Sequence, residues 1–102
     1  MVYDLYHEIE EIMTHALNEG VKLEIDVDDD EEILWLSSIE RFGKRKGAGA
    51  DVLQNLIEFA SENDLVIKGQ IDSPDGGLAI FYEEQGFEIE SHQKRTLITR
   101  YP

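Results

Sequence analysis

Apolar residues recur at helical spacing over positions 4–18. Leu5, Ile9, Ile12, Met13, Ala16 and Leu17 form one stripe, while Glu8, Glu11 and His15 face elsewhere. Asn18-Glu19-Gly20 supplies the stop. The period then drops to two: Val21, Leu23, Ile25 and Val27 alternate with Lys22, Glu24 and Asp26, which predicts a half-buried strand. An acidic turn at 28–32 leads to a second strand at 33–41, and the tight connection predicts an antiparallel hairpin. A basic, glycine-rich segment at 43–49 precedes a second helical stripe, Val52, Leu53, Leu56, Ile57 and Ala60, starting near Ala48 and ending near Asn63. A short strand follows at 65–71. The run at 72–77 breaks the pattern, and Asp75 is placed to cap a short helix that ends at Gln85, before Gly86. Two strands, 87–90 and 95–101, close the chain around a polar turn. Trp35, Phe42, Phe59, Phe81 and Phe87 fall at positions expected to pack in a core.

This order predicts an α/β fold: a mixed, mostly antiparallel sheet of about five strands with three helices. With no internal repeat or low-complexity linker, the 102 residues are expected to form a single domain, 1–102. Such a chain buries roughly two-thirds of its unfolded surface, so a homodimer is one way to enlarge so small a core. Apolar residues make up 41%, an ordinary globular share. Apolar runs fall far short of the roughly 20 residues that span a bilayer, and no leader pattern opens the sequence. A cytoplasmic protein without membrane attachment is expected. There is no cysteine, hence no disulfide, thiolate nucleophile or thiolate zinc site.

Charge sharpens the picture. A net −14 argues against a nucleic-acid binder, which neutralises phosphates with lysine and arginine. It favours cationic partners through long-range steering. Residues 1–32 hold twelve acidic residues and one basic one, Lys22. Four of the nine cations, Arg41, Lys44, Arg45 and Lys46, fall within six positions. A strand, a glycine-rich turn and a helix start form a common phosphate site, because the first helical N–H groups lack partners and carry the positive dipole end. Gly47 and Gly49 would let a backbone approach a ligand closely. The cations repel that same dipole end, a conflict that a bound polyanion would remove; the alternative is a solvated basic turn. Neither the P-loop pattern nor the dinucleotide pattern G-x-G-x-x-G fits, the latter failing at Val52.

Lys44-Arg45-Lys46-Gly47-Ala48-Gly49-Ala50, followed by Asp51-Val52-Leu53, resembles the pyrophosphate loop of the GNAT family of N-acetyltransferases, Gln/Arg-x-x-Gly-x-Gly/Ala. Leu78-Ala79-Ile80-Phe81-Tyr82-Glu83-Glu84-Gln85-Gly86-Phe87 is similar to that family's A-x-x-[LF]-Y-x-x-x-G-F run, about thirty residues on and past one strand. The resemblance covers about residues 33–101. It implies a GNAT-like fold with a shortened N-terminal substrate half, and acetyl-coenzyme A as cosubstrate. The pyrophosphate would meet the main chain of Arg45, Lys46, Gly47, Ala48, Gly49 and Ala50, with Lys44 nearby. Ile39 would lie where a strand backbone pairs with the pantetheine arm, and Leu78 and Phe81 would line the arm from the short helix. Tyr82 would protonate the departing thiolate, since a phenol with a pKa near 10 is protonated at neutral pH. The chain departs from the family at Lys44, which loses the bidentate fork of arginine, and at Asp75 and Leu78.

Transfer to an amine requires that the amine be neutral when it attacks. Glu40, at the end of the 33–41 strand, is the first candidate base, with Ser37 and Ser38 placed to hold a water. A strand-end carboxylate paired with Arg41 is the alternative, and Asp72 and Glu24 are further candidates. His7, His15 and His92 read as surface residues. Asp26, Asp28 and Asp30 alternate like a calcium loop, but Glu31 and Ser37 occupy the positions that need glycine and glutamate. Tyr3 and Tyr6 are placed to line an acceptor groove. The expected function is acetyl transfer to an amine by direct attack, with a cationic acceptor such as a protein lysine or a polyamine. The second reading is a small acidic, non-catalytic interaction or inhibitor protein that keeps the GNAT fold.

Overall fold

The computed structural model describes residues 5–71, 77–92 and 95–102. Asp72, Asp75 and Tyr3 lie outside the described residues. The elements run α1 (Leu5–Asn18), β1 (Val21–Asp28), β2 (Ile33–Arg41), α2 (Ala48–Glu62), β3 (Val66–Ile71), α3 (Gly77–Glu84), β4 (Glu88–Ser91) and β5 (Thr96–Arg100). The five strands form one sheet in the order β1-β2-β3-β5-β4. β2 and β3 are parallel, joined through α2; the other neighbours are antiparallel. This is the mixed three-helix, five-strand fold that the hydrophobic pattern predicts.

Period-two alternation decides which face is covered. Val21, Leu23, Val27, Leu34, Leu36, Ile67, Ile71 and Ile98 are the buried strand residues. The strand register places them all on one side of the sheet. Ile9 and Ala16 of α1, Val52, Leu53, Leu56 and Ile57 of α2, and Tyr82 of α3 join them in a single core cluster. Burying each large aliphatic side chain there contributes about 1.5–3 kcal/mol. The short axis of the molecule, 19 Å, matches one sheet plus one helix layer, a helix being about 10–12 Å across. Among the described residues, no helix covers the other face.

Two details explain the turns. In the acidic turn, Asp28 Oδ1 accepts the backbone N–H groups of Asp30 and Glu31, each at 3.1 Å. That carboxylate therefore caps a hairpin. After α3, Gly86 N donates to Glu83 O at 3.0 Å and Phe87 N to Tyr82 O at 3.1 Å, the bonding pattern that ends a helix with a left-handed residue.

Several aromatic and apolar residues differ from expectation. Trp35 is 44% exposed and Phe42 is 64% exposed, so neither is a core residue. Trp35 alternates with buried Leu34 and Leu36 and so falls on the open face; Phe42 lies just past the end of β2. Leu17 is exposed at the end of α1. Phe59 and Phe87 are buried, and Phe81 is partly so.

Candidate functional site

The sheet opens into a fork. β2 and β3 pair only from Ile33 with Val66 to Leu36 with Gly69. Beyond that point β2 stays paired with β1 alone and β3 with β5 alone. A bulge marks the divergence: Ile25 opposes Leu36 and Glu24 opposes Ser38, which leaves Ser37 as the extra residue on β2. Gly69 sits in the crotch, where an added Cβ would lie 2.8 Å from the Leu36 carbonyl oxygen. Only a glycine lets the two backbones meet there before parting.

Past the fork, β2 runs into the basic glycine loop and then α2. The loop is pinned to the turn between α1 and β1. Gly20 O accepts N–H bonds from Phe42 at 2.8 Å and Gly43 at 2.9 Å. Gly20 has φ +82°, and a Cβ there would lie 2.9 Å from Gly43 Cα. Gly47, with φ +84°, precedes α2 and offers no side-chain cap. The first helical bond runs from Asp51 N to Gly47 O at 3.0 Å. The N–H groups of Ala48, Gly49 and Ala50 therefore have no intrahelical acceptor, at the positive end of the helix dipole. Added Cβ atoms at Gly47 and Gly49 would meet nothing within 4 Å, so the space over this turn is open. The donors and the room suit a diphosphate.

The cations of the loop divide into two sets. Arg45 is engaged: Nη1 donates to Asp51 Oδ2 at 2.8 Å and Nη2 to Glu19 Oε2 at 3.0 Å. The Asp51 hydrogen bond, first of all, raises its pKa above the ordinary arginine value. Asp51 and Glu19 thus relieve at Arg45 the conflict between a cation and the helix start, and Arg45 links the turn after α1 to the first turn of α2. Lys44 and Lys46 are exposed and form no ion pair with a described residue. They are the loop's available positive charge.

Ile39 lies on the β2 arm of the fork opposite Leu23, with its side chain packed against the core. Glu40 follows opposite Lys22, exposed, on the open face with Ser38 and Glu24. Tyr82 comes from α3, which a side-chain hydrogen bond between Gln54 and Gln85 ties to α2. It is 4% exposed and meets Phe81 and Phe87 edge-on, each at 5.3 Å between ring centroids. Burial pushes its hydroxyl above the ordinary value of 10.0, so it remains protonated at neutral pH. Leu78 is exposed on the same helix. His7, His15 and His92 pair with Glu11, Glu19 and Glu90 at exposed positions. Tyr6 is exposed, and its hydroxyl donates to Val27 O at 3.4 Å.

Sequence reasoning missed one feature. A cavity of about 770 Å³ lies on the open face, lined at the fork by Leu36, Ser37, Gly69 and Gln70 and further out by Trp35, Lys68, Leu97 and Arg95 among others. Lys68, the lone charge in the strand Val66–Ile71, was the available signal.

No protein-family model matches the chain, and no curated protein matches it in sequence. Its likeness to known proteins is structural. Arabidopsis thaliana Naa50, solved in complex with the bisubstrate analogue CoA-Ac-MVNAL, matches over 78% of this chain with a TM-score of 0.59 at 12% sequence identity. The match covers 61% of that chain, so the present one spans about three-fifths of the neighbour's length. Naa50 is a GNAT acetyltransferase, and the three helices and five-stranded mixed sheet described above match its fold.

Proposed function

We propose that the chain is an acetyl-coenzyme A-dependent N-acetyltransferase that works by direct attack of an amine. The observation that carries this reading is the fork between β2 and β3 leading into an uncapped, glycine-opened start of α2. The likeness to a GNAT enzyme solved with a coenzyme A conjugate supports it. The diphosphate would accept the free N–H groups of Ala48, Gly49 and Ala50, with Lys44 and Lys46 beside it. Arg45 would hold the loop rather than the ligand, because Asp51 and Glu19 occupy its guanidinium. The pantetheine arm would add to the unpaired edge of β2 at Ile39, with Leu78 and Phe81 alongside.

In the reaction the amine nitrogen bonds to the acetyl carbon and the carbon–sulfur bond breaks. The amine proton passes to Glu40, directly or through a water at Ser37 and Ser38, and the sulfur takes the proton of Tyr82. Both residues are restored by exchange with solvent. The acidic N-terminal third supports steering of a cationic amine. The test is thiol release from acetyl-coenzyme A over a panel of amines. Tyr82→Phe is expected to lower turnover about 10²–10⁴-fold with little change in cosubstrate affinity. Release at an unchanged rate would assign the proton to another donor. Binding without release toward any amine would favour a non-catalytic interaction protein.

A further inference from the structure

The cavity on the open face has a charge opposite to that of the molecule around it. The chain carries −14, yet two of the three charged side chains lining the cavity, Lys68 and Arg95, are cations. Neither forms an ion pair with a described residue, whereas Glu90 is contacted by His92 Nε2 at 3.3 Å. Strand register fixes how these groups are arrayed. Trp35, Lys68 and Thr99 are neighbours across β2, β3 and β5. One row nearer the mouth of the fork come Gln70, Leu97 and Glu90. Arg95 immediately precedes β5 at that same end. The floor is therefore an exposed indole beside an ammonium, then a leucine, with a guanidinium beyond.

An unpaired cation next to an apolar floor is matched by an anion on an apolar frame. The anion gains charge-assisted hydrogen bonds and the frame covers the indole. A polyamine or a lysine side chain would bring like charge to Lys68 and Arg95. We infer that this cavity is the acceptor site, and that it takes an amine carrying its own carboxylate on an apolar body, in the class of a free apolar α-amino acid. Lys68 and Arg95 hold the carboxylate, Trp35 and Leu97 carry the body, and the amine faces the fork at Ser37. There its nitrogen gains the acetyl carbon and loses a proton, while the coenzyme sulfur loses the acetyl group and gains one. The assignment as acceptor rests on the acetyl-transfer reading; the carboxylate site does not.

Trp35 is the only tryptophan, so its emission reports on the cavity directly. Phenylalanine titrated into the whole chain is expected to change that emission saturably. It should bind about tenfold or more tightly than phenethylamine or phenylalaninamide, which lack the carboxylate. Lys68→Ala combined with Arg95→Ala is expected to abolish the preference, and Lys68→Arg to keep it. Phenethylamine binding as well as phenylalanine, a preference that survives the double variant, or no saturable change with any of the three compounds overturns the carboxylate site. Thiol release with acetyl-coenzyme A separates the two readings. Release that favours phenethylamine overturns the carboxylate site while acetyl transfer stands. Tight phenylalanine binding with no release from any amine of the panel supports the carboxylate site and removes acetyl transfer.

Discussion

The two faces of this sheet are made from the same five strands and differ in almost everything else. On one, Leu34, Leu36, Ile67 and Ile98 are closed off by three helices. On the other, their alternating neighbours Trp35, Lys68, Gln70, Leu97 and Thr99 surround a cavity. The covered face holds the fold together, and the open face holds the cavity. The bulge at Ser37 and the crotch at Gly69 mark where β2 and β3 part.

Neighbouring substitutions break or sharpen this contrast. Leu34→Ala, on the covered face, is expected to destabilise by about 2–5 kcal/mol in urea unfolding. Trp35→Ala, one residue on, should cost less than about 1 kcal/mol, as surface changes do. Equal losses would mean that the open face is structural. Gly69→Val places a side chain against the Leu36 carbonyl and 3.3 Å from Ile98 Cγ1, and should destabilise by about 1–3 kcal/mol. Wild-type stability there would show that the strands part freely without a glycine. The smallest effect belongs to Tyr82. Burial raises its pKa in the folded state, so above pH 10 the unfolded chain loses this proton first and stability falls as pH rises. Melting temperatures of Tyr82→Phe should decline less than those of the wild type over that alkaline range; parallel declines would remove the coupling.

Much of the covered face was legible in the sequence, because burial there follows from period alone. Val21 to Val27 alternate cleanly, and α2 carries its apolar stripe without interruption. The same reasoning placed Trp35 and Phe42 in the core, since a run of Ile-Leu-Trp-Leu does not reveal which face lacks a helix layer. The glycine loop was legible because its chemistry is local: cations, glycines and a helix start within one segment. Even so, sequence could not separate Arg45 from Lys44 and Lys46, because its partner Glu19 is 26 residues away. The cavity was illegible for the same reason. Lys68 and Arg95 gain meaning only when β5 inserts beside β3, and Ser37 becomes a bulge only against β1.

The most direct test is isothermal titration of acetyl-coenzyme A into the wild type and Gly49→Glu. Position 49 has open space, and a carboxylate in the first turn of α2 suits the helix dipole, so folding should be untouched. The same carboxylate would face the diphosphate. Saturable one-to-one binding by the wild type is predicted, weakened about a hundredfold or more in a variant that melts at the same temperature. No binding by the wild type, or equal binding by both, would contradict the account.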